Sequence, residues 1–138
     1  MKVERLDLAT IFVKDLDEAT KFFRDLFETE FVEPWATEMD TRETIDPLGI
    51  NLATPLTSEG VSAQVMERKG EGIVTLGFKV PNLDAAIAEM QSKGIRLIGQ
   101  EKIGNANVAT FHPKDTCGAM ILLAEYQEKD AAAAFSGR

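Results

Sequence analysis

One histidine, His112, stands in this chain of 138 residues, and it opens the run Pro113-Lys114-Asp115-Thr116-Cys117-Gly118. The proline and glycine mark that run as a turn. A single imidazole cannot build a multi-histidine metal site. It can shuttle a proton near neutral pH or donate a hydrogen bond, or it can be an ordinary turn residue. Lys114 suits a phosphate or carboxylate, or simply water. Cys117 would be a nucleophile only with a depressed pKa. Three carboxylates, Glu38, Glu43 and Asp46, fall in one short stretch. Any of them would serve as a general base if buried. Against this, the alternation Thr41, Glu43, Ile45 offers an exposed strand face for Glu43. The dinucleotide fingerprint G-x-G-x-x-G is missing, and a lone histidine supports no Ser-His-Asp claim.

The elements that must position these groups are written twice. Val13-Lys14-Asp15-Leu16-Asp17-Glu18-Ala19 returns 67 residues on as Val80-Pro81-Asn82-Leu83-Asp84-Ala85-Ala86, and internal repeats set the fold. Each copy follows a short apolar run, residues 8–13 and 73–80, that reads as a buried strand. Each copy then opens a helix, with Asp15 and Asn82 at the N-cap positions. Ala19, Phe22, Phe23 and Leu26 fall on one face of the first helix; Leu83, Ala86, Ile87 and Met90 on one face of the second. Gly94 is expected just past the end of the second helix. Strands are expected at 30–32, 41–45 and 50–53, then at 96–98, 108–111 and 119–124. Each half therefore reads β-α-β-β-β. A half of about 55 residues has too little core to stand alone, so the two must share a sheet.

Apolar residues make up 44% of the chain and charged residues 28%, a globular balance. The expected organisation is one domain over residues 1–126: module one at 5–57, a linker helix at 58–70 and module two at 71–126. A polar, Ala-rich tail at 127–138 reads as frayed or mobile. The net charge of -8 repels phosphate backbones and excludes nucleic acid as a natural partner. It also disfavours a highly anionic ligand, unless Arg68, Lys69, Arg96, Lys102 and Lys114 cluster. No apolar run is long enough to span a membrane. The single cysteine suits a reducing cytoplasm.

The tandem β-α-β-β-β pair resembles the vicinal oxygen chelate superfamily, which includes glyoxalase I, extradiol dioxygenases and drug-resistance proteins. Residues 13–19, Glu67-Arg68-Lys69-Gly70-Glu71-Gly72, Lys93-Gly94-Ile95-Arg96-Leu97-Ile98 and Phe111-His112-Pro113-Lys114 with Gly118 resemble its methylmalonyl-CoA epimerase branch. The likeness spans roughly residues 5–126 and is poor between 28 and 44. It implies an α+β fold, two tandem βαβββ modules forming a curved mixed sheet around a central cleft. It also implies one divalent metal held by four side chains, whose places here are taken by Leu8, Asn51, Thr75 and Leu122. Leucine offers no lone pair, and Asn with Thr makes a poor site for a divalent ion. The family's metal chemistry is therefore not expected in its usual form, and no cofactor is implied.

Two functions follow from that resemblance. The first is a metal-independent isomerase or lyase acting by proton transfer on a small carbonyl or acyl-thioester compound. A carboxylate (Glu43 or Asp46) would be the base, His112 a shuttle, and Asn51, Thr75 or backbone amides the oxyanion donors. The second is sequestration of an apolar small molecule without turnover, in a cleft walled by Leu8, Leu122 and Trp35. Trp35 and Met39 line that cleft or pack in the core. Asn51 and Thr75 orient a ligand, or are satisfied by each other or by buried water. A displaced metal is a third reading, which no ligand spacing supports. A homodimer is expected, as in most such proteins.

Overall fold

The computed structural model describes residues 1–137. Eight strands form one sheet: β1 (Arg5–Phe12), β2 (Trp35–Ala36), β3 (Thr41–Ile45), β4 (Ile50–Pro55), β5 (Gly72–Lys79), β6 (Leu97–Ile103), β7 (Ala106–Phe111) and β8 (Met120–Glu125). Their order across the sheet is β2-β3-β4-β1-β5-β8-β7-β6. Each module contributes four neighbouring strands, and the sheet curls into a half-barrel. The two tandem βαβββ modules and the curved mixed α+β sheet agree with the expectation.

The seam between modules is the antiparallel pair β1 and β5, with Ala9 opposite Leu76. These residues are separated by the same 67 positions as the sequence repeat, so a local two-fold axis passes between them. Each module repeats the parallel pairing across its own helix, β1 with β4 and β5 with β8.

Helices α1 (Leu16–Phe27) and α3 (Leu83–Ser92) cover the outer face. Their N-caps are the expected Asp15 and Asn82, which accept from the amides of Glu18 and Ala85. After α3, Gly94 sits at φ +79°, donating to Gln91, while Ile95 donates to Met90. That is the paired C-terminal pattern a left-handed residue permits. α3 buries Leu83, Ala86, Ile87 and Met90 against Phe111 and Leu123. α1 differs from expectation. Phe23 and Ala19 pack inward with Leu16 and Leu52, but Phe22 and Leu26 are 60% and 56% exposed. Its apolar stripe is wider than the surface it covers.

Helix α2 (Val61–Lys69) lies between β4 and β5. Three elements depart from the reading. The second strand forms at Trp35–Ala36 rather than at 30–32, and β6 runs on to Ile103. The C-terminal segment holds a packed helix: α4 (Ala131–Ser136) is capped by Asp130 and buries Ala131, Ala132, Ala134 and Phe135 in the inner core. Arg138 lies outside the described residues. Among those described, no helix is long and apolar enough to cross a membrane.

Candidate functional site

The inner face of the central strands is ruled by two rows of side chains. Strand register places Asn51 beside Thr10 and Thr10 beside Thr75. One step along, Leu8 lies beside Gly77 and Gly77 beside Leu122. The local two-fold exchanges the rows, since it relates Leu8 to Thr75 and Thr10 to Gly77. One row is polar and the other apolar. All four family ligand positions therefore lie on the inner face, two in each row.

The polar row continues into a hydrogen-bonded carboxylate. Glu43 on β3 points inward with Thr41 and Ile45, not to the exposed face that alternation also allowed. It accepts from Thr41 Oγ1 at 2.5 Å and from Asn51 Nδ2 at 2.8 Å. Thr41 in turn bonds Thr37 at 2.6 Å. The second hydrogen of Asn51 Nδ2 goes to Thr10 Oγ1 at 2.9 Å. Asn51 is 2% exposed, and its Oδ1 has no hydrogen-bond partner. Desolvation pushes the Glu43 pKa up, outweighing the hydrogen bonds from Thr41 and Asn51 that lower it. The nearby charge of Glu101 raises it further.

Glu101 was not among the candidates read from the sequence. It belongs to the part of β6 that the strand reading left out. Its inward direction follows from the alternation Gly99, Glu101, Ile103 once the strand is long enough. Its Oε2 accepts from the Glu38 amide at 3.1 Å. Burial raises its pKa, outweighing the Glu38 amide hydrogen bond that lowers it, and the neighbouring charge of Glu38 adds to the rise. The two residues share a void of about 150 Å³ with Met39, Gly99, Val108 and Thr110. Thr10 was also missed, although it lies two residues beyond Leu8 on the same strand face.

The apolar row is covered by the C-terminal helix. Leu8 and Leu122 pack in one cluster with Ile45, Trp35, Tyr126 and the buried face of α4. Phe135 meets Trp35 edge to face, with ring centroids 5.7 Å apart, a favourable aromatic geometry. Gly77 makes room for Leu8: a Cβ there would stand 2.5 Å from Leu8 Cγ. Gly104 does the same for α4, whose Ala134 carbonyl would lie 2.4 Å from an added Cβ. Tyr126 donates to Asp7 and accepts from Arg5, tying the start of the tail to β1. Trp35 sits opposite Glu43 on β2, and its indole Nε1 is buried without a partner.

The remaining candidates are placed elsewhere. Asp46 is fully buried but accepts from Thr29 Oγ1 and the Ile50 amide, closing the turn before β4. His112 starts a 3-10 turn over Pro113–Asp115, its Nδ1 accepting from the Lys114 amide at 3.1 Å. Its side chain caps that turn, whereas the partners of Glu43 are Thr41, Asn51 and Glu101, so it does not join Glu43. Asp115 locks that turn to Arg96, which holds its carboxyl down at about 2. Lys114 and Cys117 are exposed on the same turn.

The four positions do not fit the family metal. Leu8 and Leu122 offer only carbon, which leaves the Asn51 amide oxygen and the Thr75 hydroxyl, two neutral donors and too few for a divalent ion. Among the described residues, no group of three or more His, Cys, Asp or Glu side chains could hold a metal ion.

Comparison with known proteins agrees with this architecture. Mouse mitochondrial methylmalonyl-CoA epimerase is 29% identical over 130 residues, covering 88% of this chain and 73% of the mouse protein. The crystal structure of methylmalonyl-CoA epimerase from Mycobacterium tuberculosis superimposes with a TM-score of 0.81. It shows 31% identity over 92% of this chain and 91% of that one. A methylmalonyl-CoA epimerase solved in complex with methylmalonyl-CoA and NH4+ gives a TM-score of 0.82 at 22% identity, covering 94% and 99% of the two chains. The sequence profile that matches residues 9–111 is that of the Glyoxalase/Bleomycin resistance protein/Dioxygenase superfamily, and the chain belongs to it.

Proposed function

We propose that this protein moves a proton on a small carbonyl or acyl-thioester compound without a metal ion, as an isomerase or lyase related to the epimerases. The observation that carries the reading is Glu43: an inward carboxylate with a raised pKa, hydrogen-bonded to Thr41 and Asn51. A carboxylate so perturbed is a stronger base when ionised and a competent acid when protonated. Glu43 takes the α-proton, and the electron pair of that C–H bond moves toward the carbonyl oxygen. The charge forming there needs a donor. Both Asn51 amide hydrogens are committed, so the better candidate is Trp35 Nε1, opposite Glu43 and unpaired. A single indole N–H stabilises less charge than a divalent ion. The substrate therefore carries a more acidic proton than a simple thioester.

The test is deuterium exchange at the α-carbon. Incubation in heavy water with a panel of β-dicarbonyl compounds and acyl thioesters should label at least one. Glu43→Gln should lower the rate by roughly a hundredfold or more. Exchange that is unchanged in Glu43→Gln, or missing across the panel, contradicts the proposal.

The second reading, sequestration of an apolar molecule, has its own support. The cluster of Leu8, Leu122 and Trp35 already holds an aromatic ring, that of Phe135. An apolar guest would replace it by displacing α4. Labelling of no substrate together with saturable binding of an aromatic ligand would favour this second reading.

The proposed assembly is a cytoplasmic homodimer. The outer face supports it: Phe22, Leu26 and Ile73 are each more than half exposed. They adjoin an open groove rimmed by Lys14, Lys21, Glu18 and Asp25. Mixed charge around an apolar patch suits pairing with a second copy.

A further inference from the structure

We infer that the ligand of the polar row is neutral or cationic and presents an N–H or O–H donor, unlike the carboxylate-bearing acyl group bound by the relative solved with methylmalonyl-CoA. The inference deepens the proposed role of Glu43 and rests on that reading for the location of the site.

The Asn51 amide carries one unmet demand. Its nitrogen has two hydrogens, and both are engaged, by Glu43 Oε1 and Thr10 Oγ1. Its oxygen is buried and accepts from no protein group. An amide oxygen can only accept, so an organic ligand satisfies it by donating an N–H or O–H. A buried acceptor left alone costs about 1–3 kcal/mol, and a ligand N–H or O–H recovers that cost. A carboxylate or an ester oxygen would instead meet it with a second lone pair.

Charge selects in the same direction. Glu43 lies in direct contact with Asn51, and Glu101 lies close enough for its charge to act on Glu43. Glu38 donates its amide to Glu101 but adds a third carboxylate beside the void. The expected basic patch gives no counterweight in Arg96, which is committed to Asp115 by its amide, Nε and Nη2. An anionic acyl group brought here would face like charge in a poorly solvated place. An amide, alcohol, amine or amidine would not.

Four probes with one carbon skeleton separate these effects: isobutyramide, isobutyramidinium, isobutyrate and methyl isobutyrate. Titration of the full chain is followed by NMR at the Asn51 side-chain amide and at the indole N–H of Trp35, the single tryptophan. The amide and the amidinium should shift both signals saturably, at least tenfold more tightly than isobutyrate or the ester. Asn51→Leu should reduce the difference between amide and ester to less than twofold. Isobutyrate binding as tightly as the amide, the ester matching the amide, or no saturable shift with any probe overturns the inference. The wild-type titration decides even if Asn51→Leu folds poorly. The two proposals also fail separately. Donor preference without deuterium exchange sinks proton transfer alone, whereas exchange without donor preference sinks the ligand class alone.

Discussion

The two rows on the inner face occupy equivalent places and hold opposite chemistry. Asn51, Thr10 and Thr75 form one; Leu8, Gly77 and Leu122 form the other, and the local two-fold axis maps each onto its counterpart. A site built symmetrically from both rows would have donors on each. Here the polar row carries a buried network ending in Glu43, and the apolar row is sealed by α4 and Trp35. With only carbon on Leu8 and Leu122, at most two of the four family positions offer a donor. The other row holds a carboxylate in contact with an amide.

That contrast breaks most visibly at Phe135. Phe135→Ala removes the ring that roofs the apolar row and should cost about 3 kcal/mol in chemical denaturation, the low end for a buried Phe→Ala change. It should also move Trp35 fluorescence to the red and raise binding of an anilinonaphthalene dye. An unchanged emission spectrum would mean that α4 does not cover this row in solution.

The apolar row depends on one close approach. Gly77→Ala forces a methyl against Leu8 and should cost about 2 kcal/mol as overpacking. In a Leu8→Ala background the same substitution should cost nothing further, a coupling that a double-mutant cycle measures directly. Equal costs in both backgrounds would show that Leu8 does not lean over Gly77.

In the polar row, Asn51→Leu strips Glu43 and Thr10 of a partner and should cost about 1 kcal/mol, while removing an unsatisfied oxygen limits the loss. Glu43→Gln should have the smallest effect, and one that changes with pH. The folded-state pKa of Glu43 is raised above the ordinary 4.5. Its favourable contribution is therefore complete below about that pH. It is lost as pH rises from there to the folded-state value, where the buried carboxyl ionises. Gln cannot ionise, so the melting temperature of Glu43→Gln relative to wild type should climb between pH 4 and pH 8. A difference that stays flat over that range would mean Glu43 is not desolvated.

How much of this could be read from the chain alone follows from what each feature depends on. The repeat is local, so the strands at the seam, the caps at Asp15 and Asn82 and the module order were legible. Strand β3 was legible to the residue because turn residues bound it. β6 was read too short because Gly99, Gln100, Glu101 and Lys102 have weak strand preference, and neighbouring β7 supplies what they lack. The inward side of β3 was open because alternation gives two faces without saying which is buried. α4 was misread because a six-residue helix is unstable by itself. It forms here through burial of Phe135 and the alanines, which is long-range. α1 presented the reverse difficulty: its apolar stripe was legible, but not that Phe22 and Leu26 would remain uncovered.

On the proposed reading, the inner face holds a carboxylate–amide site where the family places a metal. Manganese binding, followed by the loss of free Mn(II) electron paramagnetic resonance signal on addition of chelator-treated protein, tests it most directly. The expected result is no saturable binding up to millimolar metal in the wild type, with donors regained only in a Leu8→His, Thr75→His, Leu122→Glu variant. One tightly bound ion per wild-type chain, lost in Asn51→Ala, would contradict the account.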